Sequence, residues 1–354
     1  MKRGLRRFLR RRGATDAEIE NAVSGNYLSL LVLDREITPG ARCYTMTELA
    51  ARGGTDLETA RAVWRAIGFP DLPDNLAAFT DADVATLRSF LETFARPWVL
   101  DWSLDRGLTQ ARVVSAALAR IGDAVTDDVA RSFQEAGTAE MDDEALAELL
   151  ADRIDFDAIA ELVGHVFRLQ LRAALWRRLA GADPEAPGTV AGAIGFVDLV
   201  GFTALSQELD DDEVAELVGR FGALAHDTVV GAGGRIVKTI GDEVMFVTDE
   251  PATAAWIAIR LTERSIGDDL LPQTRAGIAS GALVSRDGDY FGPVVNLASR
   301  LTEMARPGTV LASAELAIAV ETDERFRVRR IRARKVRDIG RVDVCRIDRG
   351  VAGD

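Results

Sequence analysis

The chain has 354 residues, 47% apolar and 28% charged, long enough for two ordinary domains and composed like a globular protein rather than a disordered or fibrous one. A net charge of -13 argues against a nucleic-acid binder, which needs a basic face. Cys43 and Cys345 lie far apart in sequence, so they form neither a disulfide framework nor a metal-ligand spacing, and they suit a reducing, cytoplasmic setting.

The first thirteen residues are basic but lack a continuous apolar run, so no secretory signal is expected there. They read as a solvated helix or arm, with a membrane-surface or partner contact as the alternative. No stretch approaches the roughly 18 uninterrupted apolar residues of a membrane span.

Residues 44–94 read as helix, glycine-containing turn, helix, and then, after Pro70 and Pro73, a third helix capped near Thr80. Thr47 is the expected cap of the first helix and Thr55 or Asp56 that of the second. Ala60, Val63, Trp64 and Ile67 share one face of the second helix. The segment resembles the helix-turn-helix of MerR-type transcription regulators. Its eight acids against four arginines leave it at -4, a charge that repels phosphates, so a structural helical module is expected rather than a DNA reader.

Residues 109–151 continue as helices separated by polar turns. Phe156, Ile159, Leu162, Val163, Val166, Phe167, Leu171, Ala174 and Leu175 then follow a helical period, predicting one long helix that runs into the hinge 181–189 with its two prolines. The expected division is an all-helical regulatory domain at 1–155, a linker helix and hinge at 156–190, and a second domain at 191–354. His165, on the long helix, reads as a partly exposed histidine or as a pH switch; His226 reads as structural.

After the hinge the pattern alternates. Strands are expected near 193–198, 235–240, 243–248, 273–283, 309–312, 326–332 and 341–347. Helices are expected near 201–203, 213–230, 251–266, 292–305 and 313–320. This mixture points to an α+β sandwich of the ferredoxin type. Asp198 ends the first strand and Asp242 sits at a hairpin tip, so the two carboxylates can converge on Mg²⁺ or Mn²⁺, hard cations that take oxygen ligands. Two such ions roughly 3.5–4 Å apart clamp attacking and leaving oxygens. Phe202 and Thr203 open a helix after Gly201, where free backbone N–H groups suit a triphosphate.

Three motifs stand in this order: Phe-Val-Asp-Leu-Val-Gly-Phe-Thr (196–203), Lys-Thr-Ile-Gly-Asp (238–242) and Asp-Tyr-Phe-Gly-Pro-Val-Val-Asn-Leu-Ala-Ser-Arg (289–300). Together they resemble the catalytic domain of class III nucleotidyl cyclases, of βααββαβ type, across about 190–349. The resemblance implies Asp198 and Asp242 as ligands of two Mg²⁺ or Mn²⁺, assisted by the Leu199 carbonyl. It implies Lys238 and Asp289 as the adenine-reading pair, Asn296 as the ribose-orienting residue and Arg300 as the residue that stabilises charge on the α-phosphate. Arg337 falls in register with a basic residue that contacts the outer phosphates, although the usual Lys-Gly is Arg337-Asp338 here. Lys238 can donate to an adenine ring nitrogen and Asp289 can accept from its amino group, whereas guanine reverses that pattern, so ATP is favoured over GTP. The implied reaction is attack of the ribose 3′-oxygen on the α-phosphate, giving cyclic AMP and pyrophosphate. One complete residue set per chain implies a head-to-tail homodimer with two equivalent sites.

The arrangement as a whole resembles the autoregulated soluble cyclases of actinobacteria, whose N-terminal half is a regulator, responds to pH in some members and is a candidate lipid-binding domain. The other readings of the residues are a catalytically silent, nucleotide-sensing cyclase-like module and a DNA-binding regulator acting through residues 44–94.

Overall fold

A computed structural model describes residues 1–95, 103–138, 141–153, 156–180, 189–268, 270–336 and 339–350. The chain divides into two compact units, Met1–Arg172 and Ala173–Asp354. No helix of the described residues is long and apolar enough to cross a membrane.

The first unit is helical among the described residues. Helices α1 (Arg3–Arg11), α2 (Asp16–Ser24), α3 (Leu28–Ile37) and α8 (Asp143–Arg153) enclose Leu9, Ile19, Leu28, Val32 and Leu150. Helices α4 (Met46–Gly53), α5 (Leu57–Ala66), α6 (Asp81–Ala95) and α7 (Leu104–Glu135) enclose a second core around Met46, Val63, Phe79, Leu87 and Leu108. The cap of α4 is Thr45 rather than Thr47. The Thr45 hydroxyl accepts from the Glu48 N–H while the Glu48 carboxylate accepts from the Thr45 N–H, a reciprocal box that starts the helix two residues early. Asp56 caps α5 by accepting from the Thr59 N–H, without the reciprocal bond.

All four arginines of 44–94 are engaged within that module. Arg61 pairs with Asp74, Arg65 with Asp71, Arg52 lies over the Tyr44 ring, and Arg88 donates to the Arg52 carbonyl. The long helix expected before the hinge is α9 (Phe156–Ala180). It leaves Leu162 62% and Trp176 68% exposed. His165 and His226 are both exposed.

The second unit is built on one mixed sheet. Its strands are β1 (Thr189–Leu199), β2 (Arg235–Ile240), β3 (Glu243–Thr248), β4 (Thr274–Arg286), β5 (Asp289–Phe291), β6 (Val310–Ser313), β7 (Phe326–Val336) and β8 (Gly340–Arg349). They lie in the order β2-β3-β1-β4-β6-β8-β7, with β5 folded back on β4. Among the described residues, only the β4–β6 pairing is parallel. Helices α10 (Phe202–Leu205), α11 (Asp211–Gly231), α12 (Pro251–Ile266), α13 (Pro293–Met304) and α14 (Ala314–Val320) complete the unit. The run β1, α10, α11, β2, β3, α12, β4 is the expected βααββαβ order. β1 begins at Thr189, inside the segment expected as hinge.

Alternation along β1 sorts the core into two layers, as period-two side chains require. Ala193 and Val197 face α11, α12 and α14, while Ile194 and Phe196 face α13. Gly277 on β4 lets α13 approach the strand closely. A Cβ there would collide with the Thr302 nitrogen and the Ala298 carbonyl, both backbone atoms of α13. The buried Thr302 hydroxyl lies 3.0 Å from the Ala298 carbonyl and 3.3 Å from that of Phe196, tying the helix to β1.

Gly277→Ala is therefore expected to force α13 off the sheet and to cost about 1–3 kcal/mol, as overpacking does. The urea midpoint of the variant against the parent measures it, and an unchanged midpoint would show that the contact is looser than described.

Candidate active site

Asp198 and Asp242 meet because two strand ends meet. β1 carries Asp198 to the edge of the core, and the hairpin between β2 and β3 carries Asp242 beside it. Gly241 at the tip of that hairpin has φ +61°, a left-handed conformation that glycine adopts without steric cost. The β1–β3 register sets Asp198 opposite Glu243, and the Leu199 N–H donates to the Asp242 carbonyl at 3.2 Å.

On the other side of β1, the register with β4 sets Arg275 opposite Asp198. Arg275 Nε and Nη2 both donate to Asp198 Oδ2, at 2.8 and 2.6 Å. Its Nη1 donates at 3.2 Å to the main-chain carbonyl of Glu303 near the end of α13. Arg300 Nη1 donates to Glu303 Oε1 at 2.5 Å. Glu243, Arg275 and Glu303 had no role in the sequence reading. The pairing of a strand-end aspartate with an arginine that opens a later strand was the available signal, and it became legible only with the register.

The acids repel one another. Burial raises the Asp242 carboxyl above the usual aspartate range, helped by the charge and hydrogen bond of Asp198 and opposed by its own backbone N–H. Burial, then Asp198, Asp242 and Glu303, push Glu243 up to about 7, and Arg275 opposes them. Among the described residues no group of three or more His, Cys, Asp or Glu side chains is placed to hold a cation alone. A divalent ion at Asp198 and Asp242 therefore needs further oxygens from a main-chain carbonyl, water or a nucleotide. The donor set fits such an ion, because it is all oxygen, half-buried and in surplus of negative charge. Leu199 has a hydrocarbon side chain, so its main-chain carbonyl is the group it could offer a cation.

The second predicted pair also comes together. Lys238 Nζ lies 2.5 Å from Asp289 Oδ2, and the Tyr290 N–H donates to Asp289 Oδ1 at 2.8 Å. Arg235 Nη2 bonds the Tyr290 hydroxyl at 3.1 Å and its guanidinium lies 5.5 Å from that ring's centroid. A shift in the β2–β3 register falls between Ile236 and Lys238, and a bulge of this kind re-aims the side chain that follows it.

Asn296 and Arg300 are four residues apart on α13 and so share a face. Asn296 is exposed and Arg300 half-buried. Phe202 turns its ring against the main core, Thr203 is exposed, and α10 is a single turn after Gly201. Arg337 lies outside the described residues. No hydrogen bond or ion pair among the described residues joins Asp198 or Asp242 to Lys238 or Asp289.

Residues 189–345 match the family described as adenylate and guanylate cyclase catalytic domain. An adenylate cyclase of Glutamicibacter nicotianae is 35% identical over 314 residues, spanning 83% of this chain and 76% of its own length. An adenylate cyclase of Streptomyces coelicolor is 35% identical over 287 residues, spanning 81% of this chain and 74% of its own. The solved adenylyl cyclase CyaB of P. aeruginosa is 24% identical, with a TM-score of 0.40, and covers 45% of this chain and 95% of that one. The chain belongs to the adenylate and guanylate cyclase family.

The raised Glu243 predicts a pH signature. The unfolded chain releases that proton near 4.5, while the folded protein keeps it to about 7. Stability should therefore fall as pH rises across that window and level off above it. Glu243→Gln should flatten this slope in urea midpoints measured across pH. A slope that survives the substitution would assign it to another group.

Proposed function

We propose that the protein is an adenylate cyclase that converts ATP to 3′,5′-cyclic AMP and pyrophosphate at a site shared by two copies of the chain. The observation that carries the reading is the Lys238–Asp289 pair, held in the same unit as the Asp198–Asp242 carboxylates. The relatives named adenylate cyclase support it.

In this reading the Lys238 ammonium donates to an adenine ring nitrogen and the Asp289 carboxylate accepts from the amino group. Guanine presents a donor where Lys238 donates and an acceptor where Asp289 accepts, so it leaves both groups unpaired. Asn296 orients the ribose so that its 3′-oxygen faces the α-phosphorus. A P–O bond forms there as the bond to pyrophosphate breaks. The Arg300 guanidinium meets charge that grows on the α-phosphate oxygens, and a preorganised donor of this kind is worth most in the transition state. Phe202 and Thr203 contribute backbone N–H groups to the phosphates, and Arg337 the outer phosphate contact. Asp198 and Asp242, with the Leu199 carbonyl, would hold two Mg²⁺ or Mn²⁺, which supply positive charge to the phosphates and acidify the 3′-hydroxyl.

The homodimer reading rests on one residue set per chain, and the exposed apolar residues of α9 are of the kind a partner covers. We assign residues 1–155 as a regulatory domain, with a lipid as its candidate ligand, 156–190 as the linker and 191–354 as the catalytic domain, in a cytoplasmic enzyme.

Purified protein given ATP and Mn²⁺ should form cyclic AMP, and Asp198→Ala should abolish it; substantial residual turnover would refute the metal assignment. Lys238→Glu combined with Asp289→Cys should depress ATP use and admit GTP. An unaltered base preference would separate the pair from base reading. Two inactive variants, Asp198→Ala and Arg300→Ala, should complement when mixed, reaching about a quarter of the parent rate if chains exchange at random between C2 dimers. A mixture as dead as its components would argue against a shared site.

A further inference from the structure

The β7–β8 hairpin gathers positive charge in an acidic chain. Residues 325–349 hold eleven arginines and lysines against three aspartates, a local +8 where the whole chain stands at -13. Alternation puts Arg327, Arg329 and Arg346 on the same face as Ile331 and Val344. The register sets Arg329 directly opposite Arg346, and like charges so placed repel. Asp348 is shared between them: it accepts from Arg346 Nε at 2.7 Å and lies 4.0 Å from Arg329. Beside this face lies an open cleft of about 450 Å³. Met304, Leu311, Ile331 and Val344 line it with apolar surface, and Arg306 and Arg346 flank that surface. Among the described residues Arg306 forms hydrogen bonds only through its main-chain carbonyl, which accepts from the Thr309 hydroxyl and N–H. Neither Asp198, Asp242, Lys238 nor Asp289 lines the cleft.

We infer that this cleft is a second ligand site, for a small amphipathic anion: an apolar body carrying one anionic head group. The apolar body lies on Leu311, Ile331 and Val344, and the head group takes charge-assisted bonds from Arg306 and Arg346. Asp348 holds the Arg346 guanidinium in place, so that donor is oriented before the ligand arrives. The head group also relieves the repulsion between Arg329 and Arg346. A volume of this size, apolar with a few convergent polar groups, suits a small molecule. β7 ends the sheet, and arginines on an edge strand also discourage pairing with another sheet. That role needs neither an open apolar floor nor Arg306, which lies beyond the end of α13 rather than on the edge strand.

The test is titration calorimetry on the full chain with three probes: decanoate below its micelle concentration, decanol and acetate. Decanoate carries both the apolar body and the head group, and each of the others carries one. Decanoate should bind once per chain, at least about tenfold more tightly than either control. Arg306→Gln and Arg346→Gln should each weaken decanoate about tenfold, as loss of a charge-assisted hydrogen bond does, and leave decanol unchanged. Ile331→Asp puts a carboxylate on the floor and should abolish decanoate binding. Arg341 is exposed and stands on the opposite face of the hairpin by alternation, so Arg341→Gln should keep the parent affinity. A parent chain that does not bind decanoate overturns the inference. So does equal binding of decanol and decanoate, which would mean apolar contact alone. An equal loss from Arg341→Gln and Arg306→Gln also overturns it, since the attraction would then be diffuse charge. Should Arg346→Gln fail to fold, Arg306→Gln decides, because no other side chain depends on its guanidinium.

Discussion

Like charge at the end of β1 is the constraint on which the rest of the catalytic unit depends. Asp198, Asp242 and Glu243 are brought together by pairing on both edges of β1, and their mutual repulsion has to be met somewhere. The β4 strand meets it with Arg275, placed by the same ladder that places Asp198. Backbone hydrogen bonds therefore hold an arrangement that the side chains alone would drive apart. An interior strand can do this because slipping by one residue would exchange the side chains that fit its two packed layers.

The second element of geometry is the approach of α13 to β4. Gly277 removes the side chain that would otherwise separate them, and Thr302 bonds across the contact. This fixes the height of Asn296 and Arg300 above the sheet. It also brings the Glu303 carbonyl within reach of Arg275, so one guanidinium links an acid at the end of β1 to the helix that carries Arg300. The Lys238–Asp289 pair is held separately, by the fold-back of β5 on β4 and by the Arg235–Tyr290 contact.

Much of the fold was legible in residue periodicity. The strands at 235–240 and 243–248 and the helix at 251–266 lie where alternation and a glycine-bounded hairpin put them. The three-residue strand β5 was hidden, because a segment so short carries no period and exists only through pairing with β4. The start of β1 at Thr189 was hidden by prolines and glycines just before it. The expected cap at Thr47 gives way to Thr45, because the reciprocal bond needs the three-residue spacing of Thr45 and Glu48.

The sequence by itself determined which chemical groups are present and on what kind of element each stands. Carboxylates at a strand end and a hairpin tip, and an amide and guanidinium one helical turn apart, follow from local pattern, which depends only on near neighbours. Only the tertiary structure decided which groups face each other. Lys238 meets Asp289 across 51 residues and Arg275 meets Asp198 across 77. Strand register and close helix packing set those distances, and both depend on contacts between segments far apart in the chain. The raised Glu243 belongs to the same category, because burial and neighbouring charge have no counterpart in a linear order of residues.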